Sequence, residues 1–200
     1  MKSFVQLFLP TYYIVFLILA VFWRIIFVKR KTGINAFSLL NATGHQGVIG
    51  AYFKMAPFGS TLVIIIYTFF NELYPYLASF NWIQSNITTV IGIVLLVLSL
   101  IWIIVAQIQM GISWRIGIDS LHKTKLKKAG LFSLSRNPIF LGIKINVLGF
   151  FLILPNAITL TILILDIALI DVQVALEEEH LLKIHGEDYK EYANRVRRWF

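Results

Sequence analysis

Hydrophobic residues along this chain fall in long blocks, not in the alternating or one-sided spacing of elements that face water. Five blocks stand out, at about residues 7–28, 57–77, 87–108, 138–154 and 157–176. The third, Ile87 to Ile108, holds no charged residue in 22 positions. The first is broken by Arg24 and ends in Lys29-Arg30-Lys31, a stop-transfer flank with no small-residue cleavage pattern after it. The second carries Asn71, Glu72 and Pro75 near one end. The fourth, at 17 residues, is at the short limit for crossing the hydrocarbon. Only Pro155-Asn156 separates it from the fifth, so the last two spans predict a tight antiparallel hairpin. Residues 32–56, with Gly44, Gly47, Gly50 and His45, predict a segment lying along the membrane surface. Residues 177–200 predict a cytoplasmic helical tail. The pattern therefore predicts one domain, an all-α integral membrane protein of about five transmembrane helices.

Composition strengthens that reading. The chain is 58% hydrophobic and 14% charged, with mean hydropathy +0.77. A soluble domain holds roughly 45–50% apolar and about 25% charged residues. The net charge of +8 would suit nucleic acid, but its distribution suits a membrane better. Sixteen of the eighteen Lys and Arg residues fall in or beside loops on one side of the predicted spans. The positive-inside rule then sets the N-terminus outside and the C-terminus in the cytoplasm, with a bacterial inner membrane as the expected setting. Nucleic acid is not an expected partner. There is no cysteine, which excludes disulfides, thiol nucleophiles and thiolate metal sites. The four histidines, His45, His122, His180 and His185, lack metal-ligand spacing, so no metal is expected.

The residues that break the hydrophobic pattern lie late in the chain. Lys144 and Asn146 sit in the fourth span; Asp166, Asp171 and Gln173 sit in the fifth, before Glu177-Glu178-Glu179. Ionisable groups within a span are costly and usually face a protein interior or a wet cavity. Helical spacing puts Asp166, Ile170, Gln173 and Glu177 on one face. A tight hairpin would bring Asp171 to the depth of Lys144, as a pair. That pair reads either as a plain intramembrane bridge or as part of a polar cavity open to the cytoplasm. At the mouth, Asn137 precedes Pro138, a good first helical residue, and so predicts a cap and an anion-binding helix end beside Arg136. Glu177 and Glu178 supply the opposite sign for an ammonium, a sulfonium or ribose hydroxyls.

The flanks have a recognisable order. Gly130–Gly142 reads Gly-Leu-Phe-Ser-Leu-Ser-Arg-Asn-Pro-Ile-Phe-Leu-Gly, and Glu177–Tyr192 carries Glu-Glu, Leu181, Gly186, Tyr189 and Tyr192. Upstream lies Met110-Gly111-Ile-Ser113-Trp114-Arg115. Together, from about Gln107 to Arg198, these resemble the isoprenylcysteine carboxyl methyltransferase superfamily, which includes phospholipid methyltransferases. The resemblance implies S-adenosylmethionine as cofactor and a lipophilic acceptor reaching the site from the bilayer. By position it implies that Arg136, Asn137, Glu177 and Glu178 contact the cofactor, that Gly130, Leu131 and Phe132 border it, and that Tyr189 and Tyr192 brace the tail over it. Three positions depart from the family pattern. Asn137 replaces a usual His, Phe140 a usual Tyr, and Gln173 the Arg of carboxyl-methylating members. Prenylcysteine is therefore a poor fit, and Lys144 and Asp171 join Gln173 as candidate catalytic residues, Lys144 as the compensating positive charge. An amine acceptor would need a base, for which Asp171 or Glu177 is nearest. Two other readings stay open: a nicotinamide-dependent membrane reductase of similar architecture, and a non-catalytic accessory protein.

Overall fold

A computed structural model describes residues 1–33, 44–115, 117 and 125–200, apart from the side chains of His45 and Gln46. The readings made of His45, His122 and Lys123 lie outside the described residues. Among those described there is no strand; the elements are helices and short turns. Four helices are long and apolar enough to cross a membrane, and Pro138–Ile153 is a shorter apolar one. The protein is all-α, as the hydrophobic pattern predicts.

The first rod spans Lys2–Thr32. It comprises α1 (Lys2–Phe16), a wider π-helical turn at Leu17–Phe22, and α2 (Trp23–Thr32). The wide turn leaves backbone groups without their usual partners, and Gln107 donates to the Ala20 carbonyl at 2.8 Å. Arg24 does not join the loop charges. It is 2% exposed, donates to the Gly111 carbonyl at 2.7 Å and stacks on Trp23, Phe27 and Trp114. These contacts tie the first rod to the end of the third hydrophobic block.

The second rod differs from its expected bounds. Helix α3 runs Gly44–Phe69, so residues 44–56 belong to the same helix as the hydrophobic block, and Pro57 lies inside it. A proline removes one backbone donor without obliging a helix to begin there. The expected span reaches residue 77, but Asn71–Leu77 is instead a 3-10 turn containing Pro75 and closed by Ala78 at φ 53°. The loop after it is pinned to the turn of the last helical hairpin, where the Phe80 amide donates to the Pro155 carbonyl at 2.8 Å.

Helix α4 (Asn86–Met110) starts at a reciprocal Ser85–Thr88 capping box. One face, with Val94, Leu98, Ile101 and Val105, is exposed at helical spacing, as a lipid-facing stripe requires. The opposite face, with Leu96, Ser99, Ile103 and Gln107, is buried. Helix α5 (Pro138–Ile153) packs most extensively on α4, not on its hairpin partner. Glycines make this approach possible: a methyl placed at Gly149 would stand 2.9 Å from the Gly92 carbonyl oxygen. A buried knot fastens the two helices to α1. Asn146 donates to Ser99 at 3.0 Å and to Tyr12, whose hydroxyl donates to the Leu96 carbonyl at 2.8 Å.

Helix α6 (Ala157–His185) begins at an Asn156–Thr159 capping box and runs nine residues past the expected end of its span. The loss of hydropathy at Glu177 does not stop a helix; Gly186, at φ 54°, does. The short α7 (Glu187–Arg195) follows.

The glycine contact yields a direct test. Gly149→Val should destabilise the protein by about 1–3 kcal/mol through overpacking, read as a lower melting temperature in detergent. Gly59→Ala, whose added carbon would meet Ile162 at an ordinary 3.4 Å, should be near neutral.

Candidate functional site

The site forms where the chain enters α5, where α6 leaves its hydrophobic stretch, and where the tail folds back. Its centre is the Glu178 carboxylate. Arg136 donates to it through Nε at 3.0 Å and Nη2 at 3.2 Å, and Asn137 donates through Nδ2 at 3.0 Å. Arg198, returning from the tail, adds Nε at 3.1 Å and Nη2 at 2.8 Å. The remaining donor of Arg136, Nη1, reaches the carbonyls of Ala193 and Val196 at 2.8 and 2.9 Å. One buried-side ion pair therefore sews three stretches of chain together.

Backbone bonds repeat the connection. The Arg136 amide donates to the Arg197 carbonyl at 3.0 Å, and the Ser135 hydroxyl to the Arg198 carbonyl at 3.0 Å. The Tyr192 hydroxyl donates to the Phe132 carbonyl at 2.6 Å. Burial pushes the Tyr192 phenol up to about 12, with Arg136 opposing the shift. Burial, then the Glu178 charge, also raises Tyr189, so both phenols stay protonated donors at neutral pH. The Arg198 guanidinium is held above its usual range chiefly by its hydrogen bonds to Glu178.

Glu177 behaves differently from its neighbour. Among the described residues it has no hydrogen-bond or ion-pair partner, and it borders two hollows. The smaller, about 90 Å³, is lined by Phe132, Arg136, Asn137, His180, Tyr189 and Tyr192. The larger, about 740 Å³, descends between α1, α3, α5 and α6. Phe132, Arg136, Asn137 and Glu177 belong to both, so the two adjoin there. Gln173 lines the large cavity with 0% exposure and neither side-chain atom hydrogen-bonded. The Tyr189 hydroxyl is buried without a partner beside the smaller hollow. A buried polar group lacking a partner costs roughly 1–3 kcal/mol, so these two are candidates to bond a ligand or water.

The structure sorts the expected site residues. Phe132, Arg136, Asn137, Gln173 and Glu177 converge on the hollows, and Glu178 lies directly behind them. Gly130 and Leu131 do not line either hollow. They pack on Gln109, whose Oε1 accepts from the Leu131 amide at 2.8 Å. Asn137 makes no side-chain cap on α5; its amide is spent on Glu178. Lys144 and Asp171 do pair, at 2.6 Å, yet neither lines the cavity. Lys144 is covered by the Trp199 ring, 3.8 Å from its centroid, and Phe200 lies against Trp102. Asp171 and Glu178, seven residues apart, share the face of α6 that takes the tail, whereas Gln173 and Glu177 share the face that takes the cavity. Three contributors escape the pattern reading. Arg198 is hidden in a run of basic residues, and Tyr13 and Phe53 line the cavity from helices outside the motif region.

With this geometry in hand, comparison with known proteins identifies the class. The profile of the phospholipid methyltransferase family matches residues 87–188, just over half of the chain. The chain belongs to that family, and so to the membrane methyltransferases. No curated protein and no solved structure matches the chain significantly. Residues 87–188 include α4, α5 and α6 with Arg136, Gln173 and Glu178, but not the first rod or Arg198. Family membership favours the methyltransferase reading over the reductase and accessory ones.

Glu178→Gln leaves two guanidiniums facing an amide in a largely desolvated setting. Removing one partner of such a cluster costs about 2–4 kcal/mol. The expected result is a detached tail, seen as faster trypsin cleavage after Arg195 and Arg197 together with a lower melting temperature.

Proposed function

We propose that this protein transfers a methyl group from S-adenosylmethionine to a lipophilic acceptor that reaches the site from the bilayer. The observation that carries the reading is the junction of a small polar hollow with a deep apolar cavity at Phe132, Arg136, Asn137 and Glu177. A water-soluble donor and a membrane-dissolved acceptor need such a meeting point, and few other ligand pairs do.

The residues present fit the cofactor. Glu177 offers an unpaired carboxylate to an ammonium or to ribose hydroxyls, and the orphaned Tyr189 hydroxyl offers a donor 12 residues along the chain. Phe132 and Tyr192 supply aromatic walls. The smaller hollow alone cannot hold a nucleoside, so bound cofactor would extend into the upper end of the cavity, whose volume lies within the range of ligand sites, roughly 300–1,000 Å³. When bound, S-adenosylmethionine supplies a sulfonium-borne methyl group open to in-line displacement.

The protein's own part is alignment, dryness and proton handling. The Glu178 hub holds Arg136 and Asn137 in one orientation, and alignment of this kind contributes on the order of 7–11 kcal/mol when complete. The apolar walls exclude water from the junction. For an amine acceptor Glu177 is the base at hand, since Asp171 is engaged by Lys144. Gln173, neutral where carboxyl-methylating relatives carry Arg, both donates and accepts; it suits an acceptor without a negative charge better than prenylcysteine. Lys144 and Asp171 act by holding the C-terminal residues over α5. The charge distribution supports a cytoplasmic site with the N-terminus outside.

Protein in lipid nanodiscs should bind S-adenosylmethionine, measured calorimetrically, and not reduced nicotinamide cofactors. Glu177→Gln should weaken that binding at least tenfold, about 1.4 kcal/mol, with no change in melting temperature. Preference for the nicotinamide would overturn the assignment.

A further inference from the structure

The large cavity continues well below the junction, and its lower part is not uniformly apolar. Asp166 lines it at 5% exposure, on the same face of α6 as Gln173 and Glu177. It lies seven residues before Gln173, about 10 Å deeper at 1.5 Å per residue. Among the described residues it has no cationic partner. Its one polar neighbour is Tyr52 of α3, within hydrogen-bonding reach, whose hydroxyl also donates to the Ile162 carbonyl at 3.1 Å. Between Gln173 and Asp166 the wall includes Ile143, Val147 and Phe16, together with Asn146, whose amide is already bonded to Tyr12 and Ser99. Along α6 the cavity thus carries two polar stations about 10 Å apart, and the upper one, Gln173, is buried with both side-chain atoms unpartnered.

A carboxyl so deep is expensive to keep unless it serves packing or a ligand. Its protein partner is Tyr52, and it also borders the cavity. What it can meet there is a hydrogen-bond donor. An ammonium would have to leave water to travel this far into the hydrocarbon, whereas a hydroxyl makes the journey at much lower cost.

We infer that Asp166, with Tyr52, determines acceptor specificity by binding a hydroxyl group carried about 10 Å along an apolar chain from the end that lies at Gln173. The acceptor class is then an amphiphile polar at both ends of a short hydrocarbon spacer, rather than a lipid with a single polar head. The inference rests on the proposed role of this cavity as the acceptor site, but its test reads the cavity without the cofactor.

Two isomers separate the alternatives, 1,8-octanediol with its hydroxyls at opposite ends and 1,2-octanediol with both at one end. Binding to the protein in nanodiscs is followed by tryptophan fluorescence, Trp114 being a wall residue, with protein-free discs as blank. The wild-type protein should bind the 1,8-isomer at least fivefold more tightly. Asp166→Leu should bring the two within twofold, while Asp166→Asn, which keeps an accepting oxygen, retains a preference. Equal binding of the isomers to the wild type, or an undiminished preference in Asp166→Leu, overturns the proposal. Titration of S-adenosylmethionine into the same samples reads the methyltransferase assignment separately: loss of that binding alone would leave the diol preference standing.

Discussion

Two guanidiniums and an amide sharing the carboxylate of Glu178 hold this site in one piece. Arg136 comes from the turn just before α5, Glu178 from the C-terminal half of α6, and Arg198 from the returning tail. The charge cluster joins all three at one carboxylate, beside the buried rings of Phe132, Tyr189 and Tyr192. Its geometry also explains why adjacent glutamates play unlike parts. A step of one residue turns a helix by about 100°, which sends Glu178 to the tail and leaves Glu177 for the hollows.

The same rotation organises the whole of α6. One stripe, Asp171 and Glu178, binds Lys144, Trp199 and Arg198 and is closed by protein. The other, Asp166, Gln173 and Glu177, lines the cavity and includes Gln173, whose amide protein leaves unsatisfied. Separating structural from available polar residues in this way lets a highly charged helix end coexist with a ligand site. The structural stripe is saturated and so does not compete for whatever enters the cavity.

Much of this was legible in the amino-acid order, and the reasons for the rest are physical. Hydropathy located α4, α5 and α6 because their lipid faces demand unbroken apolar sequence; the Ser85 and Asn156 caps that start α4 and α6 are seen in the structure. It misplaced the bounds of α3 because Lys54, His45 and three glycines look polar or flexible, though a helix accommodates them. Arg24 reads as a loop charge because its carbonyl partner Gly111 and its third aromatic partner Trp114 lie some 90 positions away, and no local pattern announces them. The Lys144–Asp171 pair followed from hairpin depth alone. Which way the pair faces did not, because spacing fixes relative faces on one helix but not which face a third segment will cover. For the same reason Arg198 had no distinguishing mark among its basic neighbours.

The cavity is walled by apolar helices and adjoins a polar hollow. For an acceptor that enters from the bilayer, as proposed, the quantity governing occupancy is its mole fraction in the lipid. Adding inert lipid at fixed total volume dilutes such a molecule as surely as adding buffer dilutes a soluble one. Saturation curves for this protein are accordingly properties of a two-dimensional solution.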